Sequence, residues 1–270
     1  EKNDTLTYTA INSRNFAAVS LTKYLGVRQT GTLPKANASY SGEFILQRST
    51  DGVNWTDVSK DMYGADISTK VNSNGMISAS VAPFDGSGNA YSYRFMEKIP
   101  EGCYDPANPD ATVTYSSVVR LVDANGNALT NTVNVDMFNR KKVSVTVNKE
   151  FWDVDSTGKL VKNANKTVEV TLYKLVNGTF EQVGDKKQAG TAEWTNLIGF
   201  ENGSAVQFYV SEAEVQGYKL DKQQAGTGIQ TVNGVEFIPV AFANDREVSA
   251  VKTLYNVEQL IPVVEKKENY

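Results

Sequence analysis

The chain has 270 residues, 40% hydrophobic and 21% charged, with 27 basic against 31 acidic side chains and a formal charge of −4. That length and balance describe a globular protein of one large or two ordinary domains, with no positive field to attract nucleic acid. Histidine is absent and cysteine occurs once, at Cys103, so zinc sites, Ser–His and Cys–His catalysis and an internal disulfide all lack their residues.

Strand signals dominate from end to end: short runs of Val, Thr, Tyr and Phe alternate with polar residues and are cut by Asp51-Gly52, Asn125-Gly126, Asn177-Gly178 and Asn233-Gly234. Residues 1–14 precede the first recurring unit and are expected to be a linker or N-terminal extension. Glu1 to Thr5 do not form a secretion signal, and no apolar run reaches the roughly 20 residues of a membrane span. If the chain is secreted, its targeting and anchoring segments are therefore expected outside this sequence.

In a strand, residues two apart share a face. Val19, Leu21 and Lys23 form the first such face. Phe44 to Arg48, Asp51-Gly52 and Val53 to Trp55 read as a hairpin. Tyr91, Tyr93, Phe95 and Glu97 form the next inward face, followed by Gly102, Tyr104 and an insertion from Asp105 to Asp110. Val133, Val135 and Met137 then lead to Asn139. After Arg140-Lys141-Lys142 the order repeats. Val143, Val145, Val147, Lys149 and Phe151 share a face, Val168 to Phe180 read as a second hairpin, and Val206, Phe208 and Val210 lead to Glu212 and then Gly217-Tyr218. Val248, Ala250 and Leu254 lead to Asn256, with Lys252 interrupting. The recurrence runs at offsets of 126, 115 and 117 residues (Lys23 to Lys149, Glu97 to Glu212, Asn139 to Asn256), drifting where loop lengths differ. Two homologous all-β domains follow, 15–141 and 142–260, with 261–270 as a polar C-terminal tail.

Each half thus aims one Lys, one Glu and one Asn inward from three separate strands. Taken alone, each lysine reads as an ordinary edge or snorkelling residue, each glutamate as a rim ion pair and each asparagine as a turn residue. In register and twice over, they read as chemistry. Burial disfavours the charged forms of amine and acid alike; a neutral amine can attack an amide carbonyl while a carboxylic acid beside it relays protons to the departing ammonia. The product is a Lys–Asn isopeptide bond.

The residues Lys149-Glu-Phe-Trp-Asp153, Leu172-Tyr173-Lys174, Phe208 to Glu212 with Gly217-Tyr218, and Asn256 resemble the Cna B-type domain of Gram-positive adhesins and pilins. So do Leu21-Thr-Lys23, Tyr93 to Glu97 with Pro100 to Tyr104, and Asn139, although the first half has no Trp-Asp after its lysine. The resemblance implies two tandem Ig-like, prealbumin-like β-sandwich domains. In that family a first-strand Lys and a last-strand Asn are joined next to a middle-strand Glu. It assigns Lys23–Asn139 and Lys149–Asn256 as crosslinks, with Glu97 and Glu212 promoting them.

The implied role is a structural stalk, pilin or adhesin segment, extracellular and cell-wall anchored through an anchor lying elsewhere. Its partners would be neighbouring domains or pilin subunits, without membrane contact. The crosslink turns over once, so no enzyme activity is expected, and neither cofactor nor metal; the Asp153-Val-Asp155 turn lacks a calcium loop's ligand count. The alternative is a ligand-binding module that recognises a host protein or glycan through its loops, with the Asp105–Asp110 insertion as the local hint. A glycosidase would need a second inward carboxylate in each half. Phe95, Phe138, Phe151, Trp152 and Phe208 are expected to pack around the triples, and Trp55 and Trp194 within hairpins.

Overall fold

A computed structural model describes residues 17–190 and 192–259. The expected extension 1–14 and tail 261–270 lie outside the described residues. The chain divides into two compact units, with the main division after Asn139 and the short segment Gly26–Leu33 clustering with the second unit rather than the first.

The first unit contains β1 (Ala17–Gly26), β2 (Glu43–Ser49), β3 (Thr56–Val58), β4 (Met76–Val81), β5 (Ser92–Lys98), β6 (Cys103–Tyr104), β7 (Val113–Tyr115), β8 (Val119–Arg120) and β9 (Thr132–Lys141). One sheet runs β4-β1-β9-β6 and the other β3-β2-β5-β7, with β8 also on β5. Val19, Leu21, Ile77, Ala79, Val135 and Met137 from the first sheet share one core with Phe44, Leu46, Tyr93 and Phe95 from the second. The period-2 alternation of these strands produces that core: one face of each sheet is apolar and the two faces meet.

The second unit contains β10 (Val143–Val154), β11 (Leu160–Asn163), β12 (Glu169–Val176), β13 (Thr179–Gln182), β14 (Lys187–Gln188), β15 (Ala192–Leu197), β16 (Phe200–Glu201), β17 (Ser204–Ala205), β18 (Phe208–Glu212), β19 (Tyr218–Leu220), the single helical turn α1 (Lys222–Ala225), β20 (Gln230–Val232), β21 (Val235–Val240) and β22 (Ser249–Glu258). Its sheets run β11-β10-β22-β19, with β15 on β10, and β13-β12-β18-β21-β20, with β14 on β12. The first and last strands, β10 and β22, are parallel neighbours over nine residue pairs from Ser144↔Ser249 to Trp152↔Val257. Two tight hairpins close where the sequence carries Asn-Gly: Asn177 and Gly178 have φ of 49° and 81°, Asn233 and Gly234 51° and 81°. Both central residues being left-handed is the signature of the type I′ turn, which matches strand twist.

Three expectations are corrected. Val248 precedes β22 and is 41% exposed, so the inward face begins at Ala250. Phe138 alternates outward on β9, 46% exposed, and stacks on Tyr24 at 5.0 Å instead of packing around the site. The return strand of the first hairpin starts at Thr56; Val53 to Trp55 belong to its turn, where Asp51 Oδ1 accepts from the amides of Val53 and Asn54. Trp194 is buried in the second core.

Candidate crosslinking sites

Lys23 ends the inward run of β1, Glu97 that of β5 and Asn139 that of β9, and the three meet at one end of the first core. All three are 0% exposed. Lys23 Nζ donates to Glu97 Oε2 at 2.6 Å, while Asn139 Nδ2 donates to Glu97 Oε1 at 3.0 Å. A single carboxyl group therefore bridges the amine and the amide. Burial pulls the Lys23 amine below its usual range, against the opposing pull of Glu97.

A fourth group was not legible in the sequence. Tyr40, in the segment between β1 and β2, donates its hydroxyl to Glu97 Oε1 and accepts from Asn139 Nδ2 at 2.7 Å. Its ring lies 5.4 Å from Lys23 Nζ and 6.2 Å from Phe44. Gly42 makes room for it, since a Cβ there would fall 2.4 Å from Tyr40 Cε1 and 3.0 Å from Glu97 Oε1. Burial, then Glu97, push the Tyr40 hydroxyl above its ordinary pKa, so it keeps its proton.

The second unit repeats the plan with a looser rim. Lys149 Nζ donates to Glu212 Oε2 at 2.5 Å, with side-chain exposures of 2% and 13%, and burial again lowers the amine pKa against the pull of Glu212. Asn256 is 2% exposed on β22. It stands opposite Phe151 in the β10–β22 register, while Leu254 stands opposite Lys149, so lysine and asparagine occupy successive same-face positions of adjacent strands. Phe151 lies beneath the amine, 5.2 Å from Nζ. Tyr218, edge-on to Phe151 at 5.3 Å, donates its hydroxyl to Asp153. Glu212, Tyr218 and Asn256 line an open cleft of about 790 Å³.

Among the described residues, four buried side-chain polar atoms have no hydrogen-bond partner, and two of them are Asn139 Oδ1 and Asn256 Oδ1. A buried acceptor left unpaired costs about 1–3 kcal/mol. Both asparagines singled out by the repeat carry such an oxygen.

Residues 143–234 match the family model of the Cna protein B-type domain. That match lies within the second unit. The match takes in Lys149 and Glu212 and stops before Asn256. No curated protein matches the chain. Among solved structures, two B repeat units of the Staphylococcus aureus collagen-binding protein Cna are 14% identical, covering 90% of this chain and 49% of that one, at a TM-score of 0.28. The shaft pilin of Lactobacillus rhamnosus GG is 14% identical over 91% of this chain and 99% of that one, at 0.27. The pilus adhesin of the same organism is 14% identical over 90% of this chain and 29% of that one, at 0.34. The chain thus spans about half the length of the Cna repeat structure. Among the described residues, no cluster of three or more His, Cys, Asp or Glu is arranged to hold a metal ion, and no helix is long and apolar enough to cross a membrane.

Proposed function

We propose that this chain is a stalk segment of a Gram-positive surface protein, extracellular and wall-anchored, whose two β-sandwich units are each locked by a self-formed Lys–Asn isopeptide bond. The bonds join Lys23 to Asn139 and Lys149 to Asn256. The observation that carries this reading is the fully buried Lys23–Glu97–Asn139 set, with amine and amide on one carboxyl group.

The chemistry follows from the burial. The proton of the Lys23 ammonium passes to Glu97, leaving a neutral amine. Its lone pair attacks Asn139 Cγ, and the carbonyl electrons move to Oδ1. The new nitrogen gives one proton to the Glu97 carboxylate as the acid proton of Glu97 moves to Nδ2. The C–Nδ2 bond then breaks, ammonia leaves, and the Lys–Asn amide remains with Glu97 protonated as it was before attack. The product stays in the chain, so this is one turnover and not enzyme catalysis.

The consequence is mechanical. Tension entering a unit at its first strand leaves through the crosslink to its last, bypassing the sheet ladders, and the chain needs no disulfide for this. Neighbouring domains or pilin subunits are its natural partners. Stretching single molecules between their ends tests the role: both units should stay inextensible, releasing only residues outside Lys23–Asn139 and Lys149–Asn256. Stepwise release of about a hundred residues per unit, the length each bond encloses at roughly 3.3–3.6 Å per residue, would overturn it.

A further inference from the structure

The crosslinking reading leaves two features of the first site unexplained: the orphaned Asn139 Oδ1 and the tyrosine hydroxyl wedged between Glu97 and the reacting amide. We propose that Tyr40 is a catalytic residue of the first unit's crosslinking reaction, a hydroxyl donor that, together with Glu97, holds the Asn139 oxygen as it gains negative charge. This inference rests on the crosslink proposed above and adds a participant to it.

The hydrogen-bond polarity supplies the argument. While Glu97 is a carboxylate it accepts, and Asn139 presents Nδ2 to it and to Tyr40. Once the lysine proton has moved to Glu97, that same group becomes a donor. A half-turn of the Asn139 amide about its terminal torsion exchanges Nδ2 for Oδ1 at nearly the same positions. Oδ1 then comes within reach of the Tyr40 hydroxyl, which turns to it from Glu97 Oε1, and of the acid proton as the Glu97 carboxyl turns, while Nδ2 takes the place Oδ1 held and swings back toward Glu97 when Cγ becomes tetrahedral. Two donors converging on one carbonyl oxygen in a dry interior polarise it for attack and stabilise the tetrahedral oxyanion. Tyr40 ends the reaction with the proton it began with, as its raised pKa requires; the proton transferred to ammonia is the one relayed by Glu97.

The surroundings fit this task. Tyr40 is 5% exposed, its ring is held beside Phe44, and Gly42 clears its path to Glu97. At the second site the nearby tyrosine, Tyr218, gives its hydroxyl to Asp153 instead, and the cleft beside Glu212 and Asn256 admits solvent. The sealed site carries its own hydroxyl donor, where the open one has access to water.

The test is a time course of cell-free synthesis of the full chain, quenched in acid and read by intact mass, with peptide mapping assigning each ammonia loss to its unit. Tyr40→Phe should slow ammonia loss from the first unit about 100-fold, the effect of removing one oxyanion donor, while the second unit keeps its rate and serves as an internal clock. Fluorotyrosine installed at position 40 keeps the shape and strengthens the donor, so the first unit should react faster than with tyrosine; this variant separates donor strength from packing if Tyr40→Phe folds poorly. An unchanged rate in Tyr40→Phe, or an unchanged or slower rate with fluorotyrosine, would remove Tyr40 from the chemistry and leave the crosslink standing. A wild-type chain that never loses ammonia from its first unit would overturn both.

Discussion

The first unit seals its Lys–Glu–Asn set completely, whereas the second leaves its glutamate 13% exposed beside an open cleft. Strand positions are equivalent in both: lysine on the first strand, glutamate on a middle strand of the facing sheet, asparagine on the last. What differs is the cover. In the first unit the loop carrying Tyr40 and Gly42 closes over the carboxyl group; in the second, Tyr218 turns aside to Asp153. The strands thus set which groups meet, and the loops set how dry the meeting place is.

The contrast is sharpest when a lysine is removed. Lys23→Met and Lys149→Met should each forfeit the crosslink, worth about 4–5 kcal/mol by the chain-entropy estimate for loops near 100 residues. Lys23→Met should cost a further ~1–3 kcal/mol, because it leaves Oε2 of the fully buried Glu97 carboxyl without its hydrogen-bond partner. Urea denaturation of the two variants measures the difference, and equal losses would erase the distinction drawn between the sites.

Asn139→Leu keeps a free Lys23 amine whose folded pKa lies below the unfolded 10.5. Between those two values the unfolded chain binds more protons, so stability should rise with pH through that window and level off above 10.5. Denaturation midpoints measured from neutral pH upward check the slope; a falling profile would contradict the buried-amine account.

Gly42→Ala drives a methyl into the Tyr40 ring and should cost about 1–3 kcal/mol. It should also retard ammonia loss from the first unit while sparing the second, as followed by thermal melting and mass. Tyr218→Phe removes one hydroxyl-to-carboxylate bond at the second site's rim and should cost about 1 kcal/mol with both ammonia losses intact. Smallest of all, Val248→Thr at an exposed position ahead of β22 should stay within about 0.5 kcal/mol by calorimetry.

Much of this site was legible because strands obey a period of two. Val19 and Leu21 placed Lys23 inward, Tyr93 and Phe95 placed Glu97, and Val135 and Met137 placed Asn139; all three are 0% exposed. The Asn-Gly pairs announced their turns through a local steric rule. Alternation failed at the strand end, where Val248 lies just before β22, and it held at Phe138, whose own parity on β9 points outward against the expectation that it packs around the site. Tyr40 was invisible for a related reason: it lies in no strand, and its place depends on the fold carrying residues 40–42 over Glu97, 57 positions away in sequence. The missing Trp-Asp after Lys23 and the Asp105–Asp110 insertion set the first repeat apart in sequence, yet its polar set is the more enclosed of the two.

The central claim is covalent, and the intact mass of the purified chain tests it most directly. The account predicts a mass lower than the sequence by two molecules of ammonia, with branched peptides joining Lys23 to Asn139 and Lys149 to Asn256. A mass equal to that of the unmodified sequence would contradict it.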